Sequence, residues 1–497
     1  MNLAKRFLES ATANAEKDAV FWGDESFKYA HFAAESATIA RHLSEKLKIA
    51  PGTRVALWLK NCPEFVSAVY GILRSGGVVV PINNFLKPSE VGYILSDAEA
   101  DIVITDDELA EKLATLKDTH SNLTVIPTSA FYTLGEGLNH DNPLPESTQA
   151  PTDLAVIIYT SGTTGKPKGA MLSHGNLLHN VDSCQHELEA IDLDRMAILL
   201  PMFHSFMLTV GVLLPILVGG SIVLIRSLHP PKNIVMEIIR HRATILPAIP
   251  QLFRTLATTE LPPLPLRLCI SGAAPLPVEV LSQFTERVGI PLIEGYGLSE
   301  ASPVVSLNPI RDVRKPGSIG RPVKDVEVSI QDDAGKILPV KEIGELCVRG
   351  GNVMQGYWKR PEESAATLVD GWLRTGDIGY QDDDGYFFIT DRKKDMLLVN
   401  GINVYPREIE ELLYQFPGIK EAAVVGKTHP KRGEQPVAFI AFDPGKEASE
   451  AEIKAFLKGR LADFKAPREI HICDSLPRNA TGKILKTELR ERLKSAG

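Results

Sequence analysis

The sequence predicts an α/β protein built mainly on parallel sheets flanked by helices, with a smaller unit at its C-terminal end. Three observations point there. Strand and helix patterns alternate through the first hundred residues and again from residue 154 to about residue 291. The length, 497 residues, exceeds what one hydrophobic core usually organises. The charge balance also changes sign near residue 392: 20 Lys and Arg stand against 15 Asp and Glu from there on, and 34 against 47 before it. A small basic module on a large acidic one suits the handling of anions, although a solvated lysine-rich surface would give the same balance.

In chain order, residues 1–17 read as a short amphipathic helix with charges throughout, lacking the apolar run of a signal peptide. Residues 54–59 read as a strand, 63–74 as a helix, 78–81 as a strand, 88–96 as a helix with Pro88 in its first turn, and 102–105 as a strand. A connector rich in Pro, Ser, Asn and Gly covers 133–152, and an apolar strand follows at 154–159. Residues 206–225 carry no charge and are long enough to cross a bilayer. Pro215, Gly219, Gly220 and Ser221 divide them into helix, turn and strand, so a buried element is expected and membrane association is peripheral at most. Residues 406–414 read as a helix with acidic residues near its start.

Composition narrows the function. With 44% hydrophobic and 23% charged residues, the chain reads as an ordinary globular protein. A net charge of −8 argues against general affinity for nucleic acid, which depends on neutralising phosphates. Cys62, Cys184, Cys269, Cys347 and Cys473 form no CxxC pair, which fits a reducing cytoplasm better than a disulfide framework or a zinc site.

The strongest local signal is Tyr159-Thr-Ser-Gly-Thr-Thr-Gly-Lys-Pro-Lys-Gly169. Its glycines let backbone approach a ligand, and Thr160, Ser161, Gly162, Thr163, Thr164 and Lys168 offer N–H, O–H and ammonium donors to a polyphosphate. It is not a Walker A loop, since Pro167 follows Lys166. Further on come Ser271-Gly-Ala-Ala-Pro-Leu276, Glu294-Gly-Tyr-Gly-Leu-Ser-Glu300, Trp372-Leu-Arg-Thr-Gly-Asp377, Asp391-Arg-Lys-Lys-Asp395 and Pro477-Arg-Asn-Ala-Thr-Gly-Lys483. Taken alone, Tyr296 can stack on a purine, and Glu300 suits a hard cation that keeps most of its water.

These six motifs, in this order, resemble the adenylate-forming superfamily of acyl-CoA synthetases, luciferases and peptide-synthetase adenylation domains. The resemblance covers nearly the whole chain. It implies a large N-terminal domain, residues 1–391, with ATP and acyl sites, a hinge at 392–395 centred on Lys394, and a small mobile α+β domain at 396–497. It places the nucleotide among Thr160, Ser161, Gly162, Thr163, Thr164, Lys168, Gly272, Ala273, Ala274, Glu294, Gly295, Tyr296, Gly297, Ser299, Asp377, Arg392 and Lys483. Asp377 takes the ribose, Arg392 the ribose or phosphate, and Glu300 a Mg²⁺ ion. Lys483 enters the adenylation site, and Gly401 with Ile402 lines the pantetheine path of coenzyme A. Catalytic roles fall to Lys483, Glu300, Thr160, Lys168 and His204.

The acyl pocket is assigned to Phe203, His204, Phe206, Val210, Pro303 and Val304. Amino-acid activators of this superfamily place an Asp shortly after a Phe here; this chain has His204 after Phe203. An uncharged acid is therefore favoured. His204 borders the carboxylate, gates the tunnel, or serves as a hydrogen-bonded packing histidine. The expected reaction joins a carboxylic acid, first a medium- or long-chain fatty acid and second an aryl acid of the hydroxycinnamate kind, to coenzyme A through acyl-AMP. Loading of a carrier protein, or a binding protein without catalysis, are the alternatives. Oligomeric assembly is open.

Overall fold

The computed structural model describes residues 1–116, 118–137, 147–160, 166–228, 230–429, 433–478 and 482–495. Among them the strands form four sheets. The first runs in the order Thr124–Pro127, Ile102–Thr105, Arg54–Trp58, Val78–Pro81, Leu154–Thr160 and Lys168–Ser173, parallel except for its last pair. Val78–Pro81 and Ile102–Thr105 are buried along their whole length, as near-continuous apolar strands covered on both faces should be. Helix Pro63–Arg74 starts with Pro at its first turn, has Glu64 there, and ends on Arg74, complementing the helix dipole at both ends.

The second sheet has nine strands. Its parallel centre includes Leu292–Gly297, Leu268–Ser271, Ile245–Ala248, Arg195–Ile198, Ser221–Leu224 and Asp18–Trp22. The uncharged run at 206–225 forms a π-helical stretch Met207–Leu213, an α-helical turn Leu214–Leu217 and the central strand Ser221–Leu224, all buried. The third sheet is antiparallel and includes Gly344–Gly350, Trp372–Gln381 and Phe387–Arg392. Among the described residues no helix is long and apolar enough to cross a membrane.

After Arg392 the chain turns, and Leu397–Val399 joins a fourth sheet with Ile402–Val404, Gly433–Phe442, Ile419–His429 and Glu469–Ile472. Two hydrophobic clusters here draw their buried residues only from Leu397 to Leu493. The molecule is thus a large N-terminal α/β domain followed by a small C-terminal one.

Element boundaries differ slightly from the sequence reading. The N-terminal helix is Leu3–Ala13, with Asn2 accepting from the Lys5 N–H and Phe7 stacked on Tyr70 at 3.9 Å. The strand expected at 54–59 ends at Trp58. The helix from Pro88 runs to Ala98 and stops where Glu99 turns left-handed, φ 52°. The strand from Leu154 runs to Thr160 because it pairs with Lys168–Ser173. Helices Pro63–Arg74 and Pro406–Tyr414 match the reading.

Candidate active site

The site forms where parallel strands of both large sheets end at their carboxyl ends, the usual place for ligands in α/β folds. From the six-stranded sheet, Thr160 faces Lys168 across an antiparallel hairpin. Ser161, Gly162, Thr163 and Thr164 lie outside the described residues. From the nine-stranded sheet, Leu268–Ser271 opens into Gly272, Ala273 and Ala274, and Leu292–Gly297 into Ser299 and Glu300.

Tight packing draws these loops together. A Cβ on Gly272 would lie 3.1 Å from the Phe206 ring, and one on Gly295 2.5 Å from Leu307 Cδ2. At Gly297 it would meet the Pro303 carbonyl oxygen at 2.1 Å, so no other residue fits there without backbone movement. Ser205 and Ser299 hydroxyls are 3.0 Å apart. Thr209 donates to the Ser302 carbonyl at 2.8 Å, and Asn180 bonds the Val304 backbone in both directions at 2.7 and 3.0 Å. Phe203, Val210, Pro303 and Val304 are buried and Phe206 and His204 half-buried; of these six expected acyl-pocket residues, Phe206 packs against Gly272 and Pro303 against Gly297.

Charges concentrate at one point. The Tyr296 hydroxyl donates to Asp377 Oδ2 at 2.5 Å, and Arg392 Nε lies 3.1 Å from Asp377 Oδ1. The antiparallel register puts Asp377 directly opposite Arg392. Burial and the Asp377 carboxylate hold the Tyr296 phenol well above its ordinary pKa, while Asp377 keeps Arg392 protonated. Lys483 of the small domain enters this group: burial, then Arg392, push its pKa down to about 8, opposed by Asp377. Burial and the Lys483 charge push His204 down to about 4, so the imidazole is neutral at physiological pH. Its Nδ1 accepts from the Phe206 N–H at 3.3 Å. This bond fits the packing role expected of His204, and its place beside Lys483 fits the bordering role as well.

Glu294 points away from this group. Its Oε1 accepts from the Leu276 N–H at 3.0 Å, which fixes the Ser271–Leu276 loop, and burial raises its pKa to about 7. Glu300 Oε1 accepts from the Tyr357 hydroxyl at 2.9 Å. Lys168 pairs with Glu363 and sits 5.4 Å from the centre of the Tyr357 ring. Tyr357 and Glu363 lie outside every motif identified in the sequence. No sequence signal marked them; the Met171 N–H donates to the Gly356 carbonyl and the Trp358 N–H to the Gly169 carbonyl, which holds their segment against the hairpin.

At the crossing between domains, Asp391 accepts from the Arg407 N–H at 2.9 Å, and Asp395 binds Arg490 at 2.5 Å. Lys394 lies in the turn between them, its pKa lowered first by partial desolvation and then by Arg392. Gly401 and Ile402 do not join the cluster. They form the tip of a hairpin, Gly401 at φ 79° with nothing within 4 Å of a Cβ and Ile402 49% exposed.

The family model described as AMP-binding enzyme matches residues 7–358, and that of the AMP-binding enzyme C-terminal domain matches residues 408–483. A long-chain-fatty-acid–CoA ligase of Bacillus subtilis is 38% identical over 88% of this chain and 85% of its own length. A feruloyl-CoA synthase of Amycolatopsis sp is 35% identical over 98% of both. ATP-bound MatB from Rhodopseudomonas palustris superposes with a TM-score of 0.92 at 32% identity over 100% of both chains, whereas apo MatB gives 0.81 at 31%.

Proposed function

Because the chain belongs to the AMP-binding enzyme family and is an AMP-forming acid–CoA ligase using ATP and coenzyme A, we propose that its acid is a medium- or long-chain fatty acid. The observation that carries the reading is the junction itself: Lys483 of the small domain stands near Asp377, Arg392 and His204, and His204 leads into the buried, uncharged run Met207–Leu213. No carboxylate follows Phe203 to hold an α-amine, and the pocket side chains are Phe203, Phe206, Val210, Pro303 and Val304. The full-length match to a feruloyl-CoA synthase supports an aryl acid as the second reading.

In this reading a carboxylate oxygen attacks the α-phosphorus of ATP, pyrophosphate leaves, and a thiolate then displaces AMP from the acyl carbon. Splitting the reaction replaces attack on an unreactive carboxylate by attack on a mixed anhydride. Asp377 accepts the ribose hydroxyls while Arg392 neutralises it and faces the phosphate. Lys483 brings a cation between carboxylate and α-phosphate, where two anions must meet. Thr160, Ser161 to Thr164 and Lys168 receive the β- and γ-phosphates, so Lys168 exchanges Glu363 for the nucleotide. A Mg²⁺ ion fits this donor set: Glu300 would hold it together with the nucleotide's own oxygens, adding positive charge at the phosphates. Residues 392–395 act as the hinge, and rotation there exchanges Lys483 for the Gly401–Ile402 tip, which lies outside the cluster in the present arrangement. The higher TM-score to ATP-bound than to apo MatB supports reading this arrangement as the adenylating one.

The test is pyrophosphate release across octanoate, palmitate, ferulate, benzoate and a set of amino acids, with and without coenzyme A. Fatty acids are expected to give the highest kcat/KM and to yield thioester. Preference for ferulate selects the aryl reading, and preference for any zwitterionic amino acid overturns both.

A further inference from the structure

Helix Pro250–Thr258 belongs to none of the sequence motifs, yet it grips the small domain at two places. It follows strand Ile245–Ala248 of the nine-stranded sheet and is fixed to the large domain by Phe253, which is fully buried and meets Phe284 edge-on with ring centres 5.3 Å apart. From this rigid base Arg254 crosses the interface. Its Nη1 donates to the carbonyls of Ile419 and Lys420, both at 3.2 Å, and its Nη2 binds Asp443 Oδ2 at 2.6 Å. Ile419 opens the strand Ile419–His429, and Asp443 follows the end of its partner Gly433–Phe442, so one guanidinium holds both strands of the small domain's longest pair. At the helix N-terminus, Ile249 Cδ1 lies 2.5 Å from where a Cβ on Gly482 would stand. Gly482 precedes Lys483, and its φ of 81° excludes most other residues. The same helix thus receives the Lys483 turn and anchors the sheet behind it.

Only arginine meets these three acceptors at once. Its planar fork presents several N–H groups in fixed directions, whereas a lysine ammonium is a single point of charge. The Arg254 side chain is 17% exposed, so its bonds compete with little water. They span the two domains, and rotating the small domain breaks all three.

We propose that Arg254 is a positioning residue that latches the small domain in the adenylating arrangement and so sets the balance between the two half-reactions, an inference that rests on the domain rotation proposed above. Among the described residues, its side-chain hydrogen-bond partners, Ile419, Lys420 and Asp443, include none assigned to ATP, acid or coenzyme A. Weakening the latch lowers the population of the adenylating arrangement and raises that of the rotated one, and each half-reaction follows the fraction competent for it.

The experiment measures pyrophosphate release from ATP and acid, and thioester formation from supplied acyl-AMP and coenzyme A, on Arg254→Ala, Arg254→Lys, Asp443→Ala and Lys483→Ala, with thermal melting to establish folding. Arg254→Ala is expected to shift the ratio of adenylation to thioester formation by about tenfold toward thioester formation, the effect of losing a charge-assisted contact. Arg254→Lys recovers part of that shift, and adding Asp443→Ala to Arg254→Ala changes little further, because the pair acts as one unit. A parallel loss of both half-reactions, or an unchanged ratio in a well-folded Arg254→Ala, overturns the latch. Lys483→Ala separates the two ideas: if it removes adenylation alone, domain rotation stands whatever Arg254 does; if it removes both steps equally, the rotation reading fails first.

Discussion

The Lys483 ammonium makes a pH-dependent prediction with a definite sign. Burial and the neighbouring Arg392 bring its pKa from the ordinary lysine value down to about 8. In the role proposed for Lys483, adenylation needs the cation, which lies between two anions. In the free enzyme the cation is present below pH 8 and lost above it, so kcat/KM for pyrophosphate release is expected to fall about tenfold per pH unit beyond that midpoint. His204, with a pKa near 4, stays neutral throughout this range and adds no limb of its own. The second half-reaction runs the other way, because an ordinary thiol ionises near about 8.5 and its thiolate is the nucleophile. Lys483→Met keeps the length of the side chain but not the charge. It is expected to lose about 10²- to 10³-fold in adenylation, the scale for removing one preorganised donor at a developing charge. Its remaining activity should lack the falling limb. The assay is initial-rate pyrophosphate release from pH 6.5 to 10 at saturating Mg²⁺, with thioester formation from acyl-AMP measured in parallel. A profile flat to pH 9.5 in the native enzyme, or the same falling limb in Lys483→Met, would refute the assignment.

Two further substitutions test the other assignments. Gly401→Leu should leave pyrophosphate release near the native rate and suppress thioester formation at least tenfold, since a side chain at the exposed hairpin tip meets no neighbour in the present arrangement, its local cost being backbone strain at φ 79° that thermal melting measures, but blocks a narrow pantetheine path after rotation; equal loss of both steps would remove Gly401 from the coenzyme A path. Glu300→Gln keeps the shape and the bond from Tyr357 but weakens a hard-cation ligand, so adenylation should fall and half-saturating Mg²⁺ should rise severalfold, read from Mg²⁺ titrations at fixed ATP. Unchanged Mg²⁺ dependence would leave Glu300 as a structural acceptor for Tyr357.

Local patterns carried much of the fold. Val78–Pro81 and Ile102–Thr105 are short apolar runs bounded by turn residues, and Pro63 and Pro406 mark helix starts that the structure reproduces residue for residue. The break of the uncharged 206–225 run was equally readable, because proline and glycine act on the backbone wherever they stand. The strand at Leu154 could not be bounded in the same way. It continues to Thr160 because Lys168 lies opposite, and pairing partners are not local information.

The site divides along the same line. The sequence supplied the chemical inventory: a hairpin rich in donors suited to a polyphosphate, a tyrosine between glycines, an aspartate after a glycine turn and a lysine near the C-terminal end, the last two of which gained their expected roles from the resemblance of six ordered motifs. Which of them meet depends on packing across the whole chain. Tyr296, Asp377 and Arg392 converge through strand register, Lys483 arrives by docking of a second domain, and Gly401 stays in solvent. Packing also brought in Tyr357, Glu363 and Arg254, which carry no motif. The physical reason is that a motif records backbone constraints within a few residues. Burial and the pKa of about 8 at Lys483 arise from groups more than eighty positions away in sequence, brought together by packing.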